Sequence, residues 1–272
     1  MSLSGYDTRM QTGELDDNFM FKVRPFLWHD LIRLGRAHDG GYVVPAEIVR
    51  KTRILISLGY GNDYSFEKDF LWFSPQSKVI LIDENAGALF YLCDLVSSCL
   101  KRLTFNGGHP RAATRNLFMF LGLKRTRDIQ VRRNRVASSR TTKSQVTLSS
   151  LLNEFDSSEL VLKIDIEGSE YECLLETKKL ANLSCLIVEF HNIPNEQDVF
   201  DEVLSKIQID FILVNTHINN FGKIINGVPE AIELSFVNRR FVLSNLPLVN
   251  VIPSVLDQRN SVRFPEVHYT FK

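Results

Sequence analysis

Short apolar runs alternate with amphipathic stretches along most of the chain. The apolar runs have the length and β-branched content of buried strands in a parallel sheet, and they lie at 54–58, 78–83, 160–164 and 184–191. After the first run, Phe66, Phe70 and Phe73 recur at helical spacing and predict an amphipathic helix that Asn62, Asp63 or Ser65 can cap. Strands that alternate with helices, without a repeat or a low-complexity linker, predict one doubly wound α/β domain over residues 1–272.

Three stretches depart from this alternation. Residues 1–50 are weakly patterned and predict an N-terminal cap or hairpin segment. Within them, Asp39, Gly40 and Gly41 stand between apolar runs and predict either a plain hairpin or a ligand-facing loop, because glycine adopts the positive φ of tight turns. Residues 107–145 predict a basic insertion or lid, and the proline-punctuated residues 247–272 predict an ordered C-terminal wrap.

The middle of the chain combines an apolar helix with a basic segment. Residues 86–102 predict a helix whose apolar side carries Leu89, Leu92, Leu95, Val96 and Cys99, and residues 103–109 predict a third strand and a turn. Ten Lys or Arg and one acid lie between positions 111 and 143. They predict either a solvated basic helix with a mobile loop or an electrostatic funnel for an anionic substrate or nucleic acid. No zinc knuckle or RNP-like motif accompanies them, so nucleic acid is the less favoured partner.

Composition narrows the class of protein. The 272 residues include 32 basic and 32 acidic side chains, so the chain as a whole is not an evident polyanion binder. The four cysteines lack metal-ligand spacing and are predicted to be reduced, which agrees with a cytoplasmic protein. No stretch approaches the roughly 18 consecutive apolar residues of a transmembrane helix, and the N-terminus lacks a signal-peptide pattern. The sequence leaves the oligomeric state open.

One strand–turn–helix–strand unit has the form of an adenosine-binding site. Gly59 and Gly61 follow the first strand, and Asp83 ends the second strand 22 positions after Gly61. Glycines let a cofactor approach the backbone, and an acid at this point binds ribose hydroxyls. The dinucleotide fingerprint is incomplete because Tyr64 occupies the position of its third glycine. The unit therefore favours an adenosyl ligand without a pyrophosphate, such as S-adenosylmethionine.

Acidic residues gather after the strand 160–164. Asp165, Glu167 and Glu170 surround Gly168 where this strand should give way to a helix. They predict either a group facing the crevice where open α/β sheets bind ligands or a solvated, acidic helix start. Of the three, Asp165 is the residue expected to have a functional role. Glu167 is expected beside the cofactor, and Glu170 is expected to complement the helix dipole. In the strand 184–191, the period of two places Glu189 and His191 on one side.

Seven motifs, taken in order, resemble those of FkbM-type S-adenosylmethionine-dependent methyltransferases. They are SLGYGNDYSFE, VILIDEN, VTLSSLL, LVLKIDIEGSEYECL, LIVEFH, THINNFG and PEAIELSFV, and the most specific part is KIDIEGSE. The upstream RLGRAHDGGYVVP resembles the N-terminal segment of one branch of that family. The resemblance covers residues 33–239, most of the chain.

The resemblance implies a three-layer, Rossmann-like class I methyltransferase fold with a seven-stranded, mostly parallel sheet and an antiparallel strand near the C-terminus. It implies methyl transfer from S-adenosylmethionine to a hydroxyl of a sugar, glycan or natural product. By position, it implies that the cofactor is bound by Asp39, Gly40, Gly41, Ser57, Gly59, Gly61, Asn62, Asp83, Asp165 and Glu167. Two alternatives stay open: a non-catalytic adenosyl-binding module, and a methyltransferase acting on an anionic substrate such as nucleic acid.

The catalytic residues allow two mechanisms. In one, Asp165 and Glu189, with or without His191, hold a divalent cation that lowers the pKa of the acceptor hydroxyl. In the other, no metal takes part, and His191 or His217 is a general base oriented by a carboxylate. The metal-free mechanism is preferred because the sequence does not identify three oxygen ligands. Glu189 and His191 could also simply pair with each other, and His217 could belong to an ordinary polar turn.

Overall fold

A seven-stranded sheet forms the middle layer of the protein. The computed structural model describes residues 13–59, 61, 63–86, 88–103, 110–126, 128–155, 158–243 and 245–272. The strands of the described residues, seven of which form this sheet, are β1 (Leu31–Leu34), β2 (Tyr42–Pro45), β3 (Ile54–Leu58), β4 (Lys78–Ile82), β5 (Ile129–Arg132), β6 (Arg135–Val136), β7 (Gln145–Val146), β8 (Leu160–Ile164), β9 (Cys185–His191), β10 (Phe211–Ile218), β11 (Ile224–Ile225), β12 (Val228–Pro229), β13 (Ala231–Asn238), β14 (Val251–Ile252) and β15 (Tyr269–Thr270).

Helices connect the strands and cover the sheet. They are α1 (Asp17–Lys22), α2 (Ala46–Lys51), α3 (Ser65–Phe73), α4 (Ala88–Leu103), α5 (Pro110–Arg125), α6 (Leu148–Asn153), α7 (Glu170–Glu176) and α8 (Gln197–Asp210). Short 3₁₀ turns lie at Leu180–Asn182, Ile193–Asn195 and Arg239–Phe241. No helix among the described residues is long and apolar enough to cross a membrane.

The strand order of the main sheet is β10-β13-β9-β8-β3-β4-β5. All neighbours are parallel except that β13 runs antiparallel to both β9 and β10. This confirms the predicted mostly parallel sheet with an antiparallel strand near the C-terminus. The chain builds outward from β3 to β5 and then returns to place β8 on the other side of β3. That reversal opens a crevice at the carboxyl ends of β3 and β8, where sheets of this kind bind ligands.

Alternation along the strands sends side chains into two separate cores. In β8, Leu162 joins the core beneath α8, where Phe200 packs edge-on against Phe190 of β9 at 5.1 Å between ring centroids. Val161, its neighbour in sequence, joins the opposite core with Phe66 of α3. Each fully buried aromatic or aliphatic side chain stabilises the fold by roughly 1.5–3 kcal/mol. Strands that are apolar on both faces therefore fix this sheet between two layers.

The start of α3 differs from the prediction. Asn62, Asp63 and Ser65 were the expected capping residues, but the N-cap is Tyr64 and its side chain makes no capping hydrogen bond. The carboxylate of Asp63 instead accepts hydrogen bonds from the backbone N–H and the hydroxyl of Ser65, at 3.1 and 2.9 Å. Asn62 lies outside the described residues.

The basic segment contributes to the main fold. Within 107–145, α5 packs beside α4, and β5 pairs in parallel with β4 as an edge strand of the sheet. The third strand was expected at 103–109, but Leu103 ends α4, residues 104–109 lie outside the described part, and β5 takes the place next to β4.

The side of α4 that meets the core also differs from the prediction. Tyr91 is buried and stacks near Phe120 of α5, with 5.0 Å between ring centroids, and Leu95 is half-buried. Leu92, Val96 and Cys99, which were expected to face inward, are exposed. The hydrophobic spacing correctly predicted a helix, but Tyr91 rather than Leu92 is buried in the core.

Candidate active site

A cavity of about 1180 Å³ opens at the carboxyl ends of β3, β4, β8 and β9. Each strand contributes a functional residue at its end: Gly59 after β3, Asp83 after β4, Asp165 after β8, and Glu189 with His191 in β9. The hairpin loop between β1 and β2 and the tail from Asn260 to Arg263 complete its wall. The topology therefore brings together most of the residues that the sequence singled out.

Two glycines shape the floor of the cavity near β3. Gly59 has a φ of 86°, and a Cβ atom there would lie 1.7 Å from the carbonyl oxygen of Asp165, so no other residue fits. Gly61 has a φ of 51°, and a Cβ atom there would meet nothing within 4 Å. Open space therefore lies beside the backbone at Gly61, as a cofactor that packs against a glycine turn requires.

Asp83 is the acid that the sequence assigned to the ribose of the cofactor. It follows β4 directly and lines the cavity, and its Oδ1 accepts a hydrogen bond from the backbone N–H of Asn85 at 2.6 Å. This bond orients the carboxylate beside the glycine turn. The open backbone at Gly61 and the acid at the end of the next strand together fit the adenosyl half of S-adenosylmethionine.

The hairpin loop reaches the cavity through residues 36–39. Asp39 lines the cavity, whereas Gly40 and Gly41 are not among its described lining residues. Gly40 has a φ of 87°, and a Cβ atom at Gly41 would collide with the guanidinium of Arg33. The two glycines thus allow the loop to fold rather than forming the cavity wall.

The turn after β8 also reaches the cavity. Glu167 lines it with a φ of 44°, in the left-handed region that non-glycine residues rarely adopt. A residue held in this conformation next to a cavity is a feature that often accompanies a functional site.

A buried tyrosine joins the two central carboxylates. The hydroxyl of Tyr42 lies 2.8 Å from Oδ2 of Asp165 and 3.2 Å from Oε2 of Glu189. A phenol has a single proton, so it cannot donate to both. The shorter contact takes the Tyr42 proton, and the second becomes a hydrogen bond when Glu189 carries a proton and donates it to the phenol oxygen. This geometry therefore favours an ionised Asp165 and a protonated Glu189.

A lysine beneath the cavity explains the charge of Asp165. Nζ of Lys163 lies 3.3 Å from Oδ2 of Asp165 and 4.8 Å from the ring centroid of Tyr42. Burial would raise the pKa of Asp165, but the Lys163 ammonium and the Tyr42 hydroxyl outweigh it and lower that pKa overall. Burial likewise opposes the charge of Lys163, but the carboxylates of Asp165 and Glu67 raise its pKa.

Ser57 lies beside Lys163 and Glu67, beneath the cavity. It lies opposite Lys163 in the pairing of β3 with β8, and its hydroxyl donates to Oε1 of Glu67 at 2.5 Å. Burial raises the pKa of Glu67. Ser57 was expected to line the cofactor, but it is fully buried and is not among the described lining residues of the cavity.

Glu189 is the most perturbed carboxyl group of the cavity wall. Burial, together with the charges of Asp165 and Glu233, raises its pKa to about 8. Its Oε1 accepts a hydrogen bond from the side-chain amide of Asn219 at 2.7 Å. A carboxylate with such a pKa is a much stronger base than an ordinary glutamate.

Glu170 lies in the first turn of α7, as predicted, and it also holds His191, a role that was not predicted for it. Glu170 is fully buried, and its Oε1 lies 2.8 Å from the backbone nitrogen and 3.2 Å from Nδ1 of His191. Its Oε2 accepts from the backbone N–H of Gly168 at 2.6 Å. Burial lowers the pKa of His191, but the hydrogen bond to Glu170 and the charges of Glu189, Glu170 and Asp165 raise it to about 9. Nε2 of His191 lies 3.7 Å from Oε1 of Glu189, so the imidazolium faces that carboxyl group.

His217 lies in the same row of the sheet but not in the cavity wall. Glu233 in β13 is paired directly with Glu189 on one side and with His217 on the other. His217 is 2% exposed, with Nδ1 3.0 Å from Glu233 and Nε2 3.4 Å from Glu266. Burial opposes its charge, but the carboxylate of Glu233 raises its pKa well above the ordinary value. The buried imidazolium thus neutralises Glu233, and His217 has no described path to a substrate.

Three ligand atoms of the metal type converge in the cavity. One atom each from Asp165, Glu189 and His191 lies within 4.8 Å of the other two. The donor set, two carboxylates and an imidazole, suits a divalent cation, and it consists of the residues that the sequence offered for the metal-dependent mechanism. Lys163 and Tyr42 already direct protons at Oδ2 of Asp165, so a cation would compete with both of them.

Sequence reasoning assigned three residues of this site no role beside the carboxylates: Tyr42, Lys163 and Asn219. Tyr42 follows the glycine turn, and Lys163 is the one charged residue inside the apolar run of β8. A lysine inside a buried run was the available signal, because it must find a carboxylate partner. Asn219 offered no comparable signal.

The fold and this site define a class I S-adenosylmethionine-dependent methyltransferase. The family model of the methyltransferase FkbM domain matches residues 44–217, and the chain belongs to that family. No curated protein matches the chain.

Solved structures with a similar arrangement are distant. Fibrillarin, a pre-rRNA processing protein of Methanococcus jannaschii, has a TM-score of 0.41 and 10% identity over 70% of this chain and 68% of its own. A putative caffeoyl-CoA O-methyltransferase from Staphylococcus aureus has a TM-score of 0.35 and 10% identity over 71% and 80%. Precorrin-6y C5,15-methyltransferase from Geobacter metallireducens has a TM-score of 0.34 and 10% identity over 71% and 85%.

Proposed function

We propose that this methyltransferase acts on a hydroxyl group of a neutral sugar, glycan or natural product, and that Glu189 accepts the hydroxyl proton. The observation that carries the proposal is the buried carboxyl group of Glu189, whose pKa is raised to about 8 and which lines the cavity. A hydroxyl must lose its proton as its oxygen is methylated, so a base of this strength in the cavity wall suits an oxygen acceptor.

The residues around Glu189 divide the work of proton transfer. S-adenosylmethionine, when bound, supplies the activated methyl group, and Gly61 and Asp83 fit its adenosyl half. Asp165 stays ionised beside Lys163 and accepts a hydrogen bond from the hydroxyl of Tyr42. Asn219 and His191 face Oε1 of Glu189 and stabilise its ionised form, in which it can take the acceptor proton. Holding the acceptor and its base together makes positioning a large part of the catalysis.

The choice of Glu189 revises the expectation that a histidine is the base. The pKa of His191 is raised to about 9 and that of Glu189 to about 8, so Glu189 loses its proton first as the pH rises and becomes a free base before His191 does. His217 is enclosed between two carboxylates. Glu189 therefore fits the role better than either histidine.

The charge of the cavity favours a neutral acceptor. Among the described residues that line it are seven acidic side chains, of which Glu189 carries a proton, against three arginines and the imidazolium of His191. An excess of acids repels a polyanion such as nucleic acid and suits the positive sulfonium of the cofactor. Hydroxyl-rich neutral molecules bind to such a wall through hydrogen bonds without a charge penalty.

A divalent cation is compatible with the same residues. Asp165, Glu189 and His191 would hold it, and it would lower the pKa of the acceptor hydroxyl. Such an ion would also displace the proton from Glu189, so chelation provides a direct comparison. For location, we propose the cytoplasm, which the four free cysteines support.

The test is methyl transfer from S-adenosylmethionine labelled in its methyl group. The purified chain is incubated with panels of neutral monosaccharides, glycans and hydroxylated natural products, and separately with RNA and protein, each with and without a chelator. The proposal expects label in an alkali-stable ether of a neutral acceptor. Label that appears only in RNA, or on a nitrogen atom, would contradict it. Activity that is lost on chelation and restored by a divalent cation would assign the cation a role.

A further inference from the structure

The outer side of α4 presents a continuous apolar stripe. Five exposed residues recur at helical spacing along it: Leu92, Cys93, Val96, Cys99 and Leu100. Leu100 is 58% exposed. The opposite side of the helix supplies the buried Tyr91, so the stripe is not needed to hold α4 on the core. Monomeric proteins rarely expose a contiguous apolar surface of this kind without a partner.

The outer side of α5 adds positive charge to an exposed aromatic ring. Arg111, Arg115 and Phe118 follow one another at intervals of four and three residues and therefore share a face, and all are exposed. Phe118 is 68% exposed, and Leu121 and Arg125 flank it. The sequence of α5 contains no acid, and that of α4 contains only Asp94. The other side of α5 is anchored by the buried Phe120 and Leu123.

Tyr91 of α4 and Phe120 of α5 lie in one core, so the outer sides of the two neighbouring helices form one surface, and we propose that this α4–α5 face docks onto an anionic lipid surface. Arginines attract acidic headgroups, and exposed Phe and Leu side chains insert at the boundary between headgroups and acyl chains, which is the arrangement of interfacial helices. The inference is independent of the acceptor and of the roles given to Glu189 and His191.

The same features disfavour two other partners. A second copy bound symmetrically through this face would bring the arginines of both copies together, because a two-fold contact pairs the same patch with itself. Nucleic acid would satisfy the arginines, but its phosphates would leave the stripe formed by Leu92, Val96 and Leu100 facing polar groups. An anionic bilayer satisfies both the charge and the apolar surface.

The test uses vesicles and two natural reporters. Cys93 and Cys99 lie on the stripe and are exposed, whereas Cys173 and Cys185 are buried. The chain is centrifuged with vesicles of phosphatidylcholine alone or mixed with phosphatidylglycerol, and the reaction of its thiols with a colorimetric disulfide reagent is timed. We expect cosedimentation with the anionic vesicles, weakening as salt is added, and slower reaction of the two exposed thiols in the bound state.

Variants locate the contact. Each arginine near an anionic surface strengthens binding roughly fivefold, so Arg111→Glu, Arg115→Glu and Arg125→Glu combined should weaken it by more than about a hundredfold. Phe118→Ser should also weaken it. Lys68→Glu and Trp72→Ser, two exposed positions one turn apart on α3, are matched controls and should leave binding unchanged.

Several outcomes would overturn the proposal. One is equal binding to neutral and anionic vesicles, and another is no vesicle binding by folded protein. A third is vesicle binding that the α5 variants do not weaken and that leaves Cys93 and Cys99 as reactive as in the free protein. RNA binding without vesicle binding, or a dimer in solution that the α5 variants dissociate, would assign the face to the other partners.

Discussion

Replacing Glu189 by glutamine should change how stability depends on pH. The substitution keeps the shape and the hydrogen bonds of the site. The glutamine oxygen can accept from Asn219, as Oε1 does now, and its amide can donate to the oxygen of Tyr42, whose own proton goes to Asp165. What the variant loses is a titratable group.

The magnitude follows from the shift of one pKa. Glu189 moves from an ordinary value of 4.5 to about 8 on folding. Because the folded pKa is raised, its contribution to stability is complete below pH 4.5 and is lost as the pH rises towards 8. Each pH unit in this window is worth about 1.4 kcal/mol, so from about pH 5 to about pH 8 the wild-type chain loses up to about 4 kcal/mol through this residue.

His191 adds a change of the same sign at higher pH. Its folded pKa of about 9 exceeds its ordinary value of 6.5, so its contribution is complete below 6.5 and is lost as the pH rises through 9. The Glu189→Gln variant lacks the pH-dependent contribution that Glu189 itself makes to stability, whereas both proteins contain His191. The variant should therefore be more stable, relative to wild type, at pH 8 than at pH 5.

The assay is urea unfolding of both proteins across this pH range, followed by the signal of the aromatic side chains. Glu167→Gln is the matched control, because Glu167 lines the same cavity but is exposed. Its stability curve should run parallel to that of the wild type. If the curve of Glu189→Gln also runs parallel to the wild type, Glu189 is an ordinary carboxylate and our account of the buried proton is wrong.

Four further substitutions test other parts of the site. Gly59→Ala should fail to fold or lose several kcal/mol, because its methyl group would overlap the carbonyl of Asp165, whereas Gly61→Ala should cost only about 1–2 kcal/mol in thermal unfolding. Lys163→Met should lower the free energy of unfolding by up to about 3 kcal/mol, since it leaves the half-buried carboxylate of Asp165 without its cation, and an unchanged urea midpoint would contradict this. Asp83→Ala should weaken S-adenosylmethionine binding about ten- to a hundredfold in calorimetric titration, and unaltered affinity would remove Asp83 from the cofactor site.

The sheet was predictable because burial on both faces leaves a strong signal. The apolar runs at β3, β4, β8 and β9 specified four of its strands, and motif order supplied the rest of the topology. The face of α4 was predicted wrongly, because a helix with apolar residues on several sides does not say which of them meets the core. Tyr91 faces the core because it packs against Phe120 of α5, and the pattern of α4 alone does not reveal this contact between two helices.

The sequence predicted those site residues that lie at the ends of strands. Asp83, Asp165 and Glu189 line one cavity because the carboxyl ends of parallel strands share an edge of the sheet. The role of Glu170 could not be read from its own helix. It depends on β9 lying alongside, which brings the backbone and ring of His191 to its carboxylate.

The most direct test of the central claim measures cofactor binding and methyl transfer together in the wild type and in Glu189→Gln. Calorimetric titration gives the affinity for S-adenosylmethionine, and the labelled methyl group gives the rate of transfer to a neutral hydroxylated acceptor. We predict that the variant keeps its affinity within a few-fold and loses roughly 10²–10⁴ in transfer rate, the usual contribution of a general base. A variant that binds the cofactor and transfers the methyl group at the wild-type rate would contradict the assignment of Glu189 as the proton acceptor.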